Sequence, residues 1–157
     1  MQVGVEHGVE GLWRACHPWM LRLAWIILGD EVAAQDAVSE TWVRCLPRLA
    51  PIERPEAYLR TALVRVCFNE RRRAGVAERH ARRQPERYVV PVAEADVGLV
   101  HFVDALAALG PQQRAALVLR YLHGAEDAEI AEALGVRRAT VRSHVRHGLA
   151  RLQEVMT

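Results

Sequence analysis

Residues 127–152, DAEIAEALGVRRATVRSHVRHGLARL, decide the fold of this part of the chain. The first half predicts a short helix with Asp127 as its N-cap. Gly135 supplies the permissive backbone of a tight turn, and the small Ala131 allows a second helix to approach closely. The inward-facing positions of the first helix are Ile130, Ala131 and Leu134. This arrangement predicts a helix-turn-helix.

The second helix of this motif combines an apolar stripe with an arginine-rich face. Residues 137–151 contain five arginines and no acid, whereas the first helix is acidic. Arginine can read guanine edges through two hydrogen bonds, and Ser or Thr can bond bases or phosphates. The expected buried stripe is Val141, Val145, Leu149 and Leu152. The candidate DNA-contacting residues are Arg137, Arg138, Thr140, Arg142, Ser143, Arg146 and His147.

Working outward, glycine and proline divide the rest of the chain into helical segments, and no convincing strand pattern is present. The first half predicts helices at about 10–28, 31–46 and 55–73. The second half predicts two more, one closed by Gly110-Pro111 and one closed by Gly124. The fold class is therefore all-α, with two small helical domains joined by a flexible linker. The expected boundaries are 1–84 for the first domain, 85–98 for the linker and 99–157 for the second domain.

Two helices of the first domain have contrasting faces. Asp30 is the expected N-cap of the second helix, whose apolar side extends to Leu46 and whose opposite side is polar. The polar side carries Asp36, Ser39 and Glu40, with Val43 beside them. The third helix opens at Pro55 and presents a basic side on which Val64 is expected to be exposed. Six arginines between residues 71 and 83 extend that basic side and are typical of phosphate binding.

Several protein classes are excluded by composition and motif content. No apolar run is long enough to span a membrane, and no secretory signal is evident, so we expect a cytoplasmic protein. Cys16, Cys45 and Cys67 form no CxxC pair and are expected to be buried thiols. His123, His144 and His147 lack a convergent further ligand, so no metal site is expected. No nucleophile, Walker or HExxH motif occurs, so neither a cofactor nor catalysis is expected.

Two longer segments resemble a known family. "LRLAWIILGDEVAAQDAVSETWVRCLPRL" with "RPEAYLRTALVRVCFNERRR" is similar to sigma region two. "ALAALGPQQRAALVLRYLHGAEDAEIAEALGVRRATVRSHVRHGLARL" is similar to sigma region four. Together they cover most of the chain in the right order. The chain therefore resembles the extracytoplasmic-function (ECF) sigma factors of the sigma-70 superfamily, which direct core RNA polymerase to promoters.

The resemblance implies a role for each face. Through its second helix the protein would dock on the clamp helices of the polymerase large subunit, and its second domain would approach the flap. An anti-sigma protein is an expected partner. The implied polymerase-binding residues are Asp36, Ser39, Glu40 and Arg44. Those implied for the −10 element are Arg54, Arg60, Arg65, Asn69, Arg71, Arg72 and Arg73, and the helix-turn-helix residues given above would read the −35 element.

Two other classes remain as alternatives. A helix-turn-helix regulator that acts without polymerase would need only the second domain. The polar face of the second helix and the separate basic third helix favour the sigma interpretation over a regulator. A nucleic-acid enzyme lacks the metal-binding carboxylates that it would require. Run-off transcription with core polymerase on a promoter library distinguishes the three classes.

Overall fold

The computed structural model describes residues 8–78 and 97–157, and helices make up the regular structure of both ranges. An N-terminal module contains three α-helices, and a C-terminal module contains four. The helices of the first are α1 Gly8–Leu28, α2 Glu31–Cys45 and α3 Pro55–Glu78, with a 3-10 helix at Leu46–Arg48. Those of the second are α4 Val97–Leu106, α5 Pro111–Tyr121, α6 Asp127–Leu134 and α7 Arg138–Met156. The all-α prediction is confirmed.

Local sequence signals set most of the helix ends. The carboxylate of Asp30 accepts a hydrogen bond from the backbone N–H of Ala33, which confirms the predicted N-cap of α2. Pro55 and Pro111 each occupy the first position of a helix, where the missing N–H costs nothing. The third helix runs to Glu78, five residues farther than expected. Residues 85–96 of the predicted linker lie outside the described residues.

Each module packs its helices around apolar side chains. In the first, α1, α2 and α3 all contact one another around Met20, Leu23, Ile27, Leu59 and Leu63. In the second, α5 lies against α6 and α7, and its residues 114–119 are all buried. The three cysteines are buried, as expected, and burial raises the pKa of Cys16 to about 11 and that of Cys67 to about 12. No helix in the described ranges is long and apolar enough to cross a membrane.

The two modules also pack against each other. Helix α3 contacts α6, and α1 contacts α5. The contact of α3 with α6 explains one wrong prediction. Val64 was expected to be exposed but is fully buried. It lies one turn after Arg60, whose guanidinium reaches Glu129 of α6, so the side of α3 that was expected to face solvent is covered.

The expected burial of Leu46 is also wrong. Leu46 lies in the 3-10 helix after α2 and is partly exposed. Tyr121 and Leu122, the last residue and the C-cap of α5, are likewise exposed, in contrast to the buried residues 114–119. Periodicity gives the direction of a side chain but not the point at which the neighbouring helix ends.

Candidate DNA and polymerase interfaces

The turn between α6 and α7 has the geometry that the sequence predicts. Gly135 has φ +67°, in the left-handed region that glycine adopts without steric cost. The backbone N–H of Val136 donates to the carbonyl of Ala131 and closes the end of α6. The N-cap of α6 is Glu126 rather than Asp127. Asp127 instead forms ion pairs with Arg120 and Arg142, which corrects the capping role predicted for it.

Helix α7 buries one stripe and exposes the opposite side. The buried positions are Val141, Val145, Gly148 and Leu152. Leu149, expected in this stripe, is 37% exposed, and Gly148 takes the inward position. A Cβ on Gly148 would lie 3.0 Å from Leu117 Cδ1, so glycine allows α7 to approach α5 closely. The spacing 141, 145, 148, 152 follows a helical face more regularly than the predicted set and could have identified Gly148.

The predicted −35 residues occupy the other side of α7. Ser143 Oγ and His147 Nδ1 are 3.4 Å apart, one turn from each other. Arg142 is held toward α6 by Asp127, with its Nη1 3.6 Å from the carboxylate. Arg137 is the N-cap, and Arg138 begins the helix. Exposed members of the set are Arg137, Arg138, Arg142, Arg146 and His147, whereas Thr140 and Ser143 are half-buried.

The histidines of this region do not converge. Burial, with a smaller effect from His147, lowers the pKa of His144, which favours its neutral form. His123 lies instead against Trp19 of α1. Within residues 8–78 and 97–157, no group of three or more His, Cys, Asp or Glu side chains could hold a metal ion.

The predicted polymerase-binding residues lie together on α2. Asp36 and Ser39 are exposed, and Glu40 Oε1 lies 2.7 Å from Arg44 Nη2. Two of these residues, Asp36 and Glu40, also line a groove of about 190 Å³ between α2 and α3. Asp30 and Glu70 also line it, so the groove has four acidic side chains. Sequence reasoning did not include Glu70, although it follows the buried Val66 by one helical turn.

The predicted −10 residues fall into three groups. Arg54 and Arg60 both bind Glu129, and Arg65 binds the carbonyl of Glu132. Arg71 donates to the carbonyl of Ile27 at the end of α1, 2.9 Å away, and so joins two helices of its own module. The third group is Asn69, Arg72 and Arg73, which are exposed. Arg54 and Arg65 are exposed as well, although each has a partner on α6.

Two helical modules with a basic helix in each, one of them in a helix-turn-helix, define a DNA-binding protein. Comparison with known families makes this more specific. Residues 12–76 match the family described as Sigma-70 region 2, and residues 100–152 match Sigma-70, region 4.

Relatives and solved structures agree with these matches. The chain is 31% identical over 138 residues to the RNA polymerase sigma-E factor of Streptomyces coelicolor, covering 86% of this chain and 78% of that protein. It is 30% identical over 156 residues to the ECF RNA polymerase sigma factor SigL of Mycobacterium tuberculosis, covering 94% and 83%. The fold matches the sigma factor RpoE solved in complex with the anti-sigma factor NepR from Bartonella quintana. The TM-score is 0.79 at 21% identity, and the match covers 96% of this chain and 97% of that one.

The chain belongs to the ECF sigma factors of the sigma-70 superfamily. The family resemblance inferred from the sequence is therefore confirmed, as is the function that it implied: a promoter-recognising subunit of RNA polymerase. The regulator alternative is not favoured, since a region 2 module accompanies the helix-turn-helix. Sigma factors are non-catalytic initiation factors. The individual contact residues remain predictions.

Proposed function

We propose that this sigma factor divides promoter recognition among three helices. The polar face of α2, formed by Asp36, Ser39, Glu40 and Arg44, binds the clamp helices of core polymerase. The basic residues of α3, with Arg54 before it, hold the −10 element, and the exposed face of α7 reads the −35 element. The domains proposed for these tasks are 1–84 and 99–157, joined by 85–98, and the protein acts in the cytoplasm without catalysing a reaction.

One observation carries this proposal. Helix α7 has its buried stripe opposite a solvent-facing side rich in arginine, and its N-terminus follows the left-handed turn at Gly135. A helix of this kind fits a major groove, where its N-terminal amides approach a phosphate and its arginines approach base edges. The regulator alternative shares this feature, so the test must also require polymerase.

The test is run-off transcription from a library of promoters, with core polymerase alone, with this protein added, and with an Arg142→Ala/Arg146→Ala variant. We expect specific transcripts only with the unmodified protein. Arg14→Ala is the matched control, because Arg14 is an exposed arginine on α1 outside all three faces. Sequence-specific DNA binding without any polymerase-dependent transcript would contradict the proposal and support the regulator.

We also propose that an anti-sigma protein holds the free factor. The Bartonella quintana RpoE that shares this fold was solved with such a protein, NepR. The acidic groove between α2 and α3 offers a surface for a basic segment of the partner. Purification from the native host at native expression should recover a small protein with the sigma factor. Repeated recovery with polymerase alone would contradict this part of the proposal.

A further inference from the structure

Helix α6 meets the basic side of α3 through paired charges. The two carboxylate oxygens of Glu129 are divided between Arg54 Nη1 at 3.2 Å and Arg60 Nη2 at 3.1 Å. Arg65 Nη2 lies 3.3 Å from the carbonyl oxygen of Glu132 and 3.7 Å from its carboxylate. These partners are 67 to 75 residues apart in the chain. They therefore join the two modules rather than stabilise one helix.

The pairs differ in strength. The side chain of Arg60 is 12% exposed, so its interaction with Glu129 is screened much less than a surface pair. The outer pairs involve exposed guanidinium groups and contribute less. Arg65 gains from its position at the end of α6, because the carbonyls of the last helical turn carry partial negative charge. The contact is thus centred on Arg60 and Glu129.

The arginines in this contact are also needed elsewhere. Arg54, Arg60 and Arg65 belong to the set proposed to hold the −10 element. A guanidinium that is bound to a carboxylate cannot offer the same N–H groups to a DNA phosphate. The exposed face of α7 is less occupied, since Arg138 and Arg146 are exposed and lie outside this contact, although Arg142 pairs with Asp127. The closed arrangement therefore covers one DNA face and leaves the other accessible.

We propose that α6 is an intramolecular competitor for DNA, in which Glu129 and Glu132 occupy the −10-binding arginines of α3 until the modules separate. This inference rests on the proposed function, because it takes α3 as the −10 face. While the modules are in contact, the factor can engage duplex DNA through α7 but cannot yet hold a melted strand through α3. Separation of the modules, which would accompany docking on polymerase, then frees the second face.

The variant Glu129→Gln/Glu132→Gln, called the latch variant below, removes the negative charges and keeps the side-chain size. The matched control is Glu10→Gln/Glu154→Gln, which changes net charge equally at two exposed ion pairs outside the junction. The probe is a fluorescein-labelled single-stranded DNA of random sequence. If the modules are separated in roughly one parent molecule in five, the latch variant binds this probe about fivefold more tightly. The control is expected to change affinity less than twofold.

A distance measurement separates this inference from the proposed function. Spin labels are attached at Gln35→Cys on α2 and Ala150→Cys on α7, two exposed positions. The native cysteines are buried and do not compete for the label. We expect a narrow distance distribution in the labelled parent and control. A broader and longer distribution is expected in the latch variant.

The outcomes are distinct. The inference is supported if the latch variant shows the longer distances and binds the probe more tightly, and if adding Arg65→Ala removes this gain in affinity. A broad distribution in the parent, or an unchanged one in the latch variant, overturns it whatever the DNA result. Opening without tighter binding also overturns the competition. If Arg65→Ala does not change the probe affinity of the latch variant, the assignment of Arg65 to the −10 element is wrong, but the contact between α3 and α6 is not contradicted.

Discussion

The imidazole of His123 packs edge-on against the indole of Trp19, with ring centroids 5.4 Å apart and planes inclined at 70°. His123 follows α5 and Trp19 lies in α1, so this contact crosses the junction between the modules. Burial lowers the pKa of His123 from 6.5 to about 4, with further contributions from the guanidinium groups of Arg60 and Arg22. A charged imidazole is therefore disfavoured where the modules meet.

This relationship predicts a loss of stability in acid. Between pH 6.5 and about 4 the unfolded chain binds a proton at His123 that the folded chain does not, so stability decreases as pH falls through this window. At about pH 5.5 the loss from this group is about 1 kcal/mol. Denaturant unfolding of the parent and of His123→Phe, at about pH 7.5 and about pH 5.5, measures it. Phenylalanine keeps an aromatic ring against Trp19 but cannot titrate, and equal losses in both proteins would contradict the prediction.

The second prediction concerns the polar face of α2. Asp36→Lys/Glu40→Lys should abolish association with core polymerase and leave helicity unchanged. Asp36 is exposed, and the Glu40–Arg44 pair is a partly exposed i,i+4 contact, so the helix loses only about 0.5 kcal/mol. A pull-down measures association, and circular dichroism measures helicity. Glu10→Lys/Glu154→Lys carries the same charge change elsewhere and should still associate; retained association of the α2 variant would be evidence against this face.

The third prediction concerns the close approach of α7 to α5. Gly148→Ala places a methyl group 3.0 Å from Leu117 Cδ1 in a packed core. Overpacking costs about 1–3 kcal/mol, and the better helix propensity of alanine returns about 1 kcal/mol. We expect a net loss of about 1 kcal/mol in the free energy of unfolding, from denaturant unfolding. In a Leu117→Ala background the methyl group has space, so the same substitution should become neutral or stabilising; an unchanged cost there would show that contact with Leu117 is not its origin.

These cases show which features the sequence could predict. Helix ends at Pro55, Pro111 and Gly135 are local, because each depends on the conformation of one residue, and all three were predicted correctly. The inward positions Ile130, Val141 and Val145 follow from a single helical period. The function was reached in the same way, since each module carries a recognisable local pattern.

Contacts between the modules have no such local signal. Arg60 and Glu129 are 69 residues apart, and nothing in the spacing of either helix pairs them. The same helix–helix contact explains why Val64 is buried and why three candidate DNA-binding arginines have protein partners. The arginines on either side of Arg71 indicate a basic face, yet the guanidinium of Arg71 binds the carbonyl of Ile27. A charge pattern identifies a basic surface but not the partner of each side chain.

The last prediction separates specificity from positioning on α7. Arg146 is exposed opposite the stripe of Val141, Val145 and Leu152. Arg138 is the first residue of the helix, about 12 Å away along its axis at 1.5 Å per residue. An arginine at the helix entrance is well placed for a backbone phosphate, whereas one farther along the exposed face can enter the groove and reach a base edge.

Arg146→Ala should therefore cost about 1–3 kcal/mol on the preferred −35 sequence and relax the preference at one base position. Arg138→Ala should weaken binding to all sequences by a similar factor and make the salt dependence shallower by about one phosphate contact. Reconstituted holoenzyme is titrated against a panel of −35 variants at several salt concentrations. Arg151→Ala serves as the control, since Arg151 lies on the same helix but pairs with Glu154 near its end. A uniform loss with Arg146→Ala together with an altered base preference for Arg138→Ala would mean that α7 enters the groove in a different orientation.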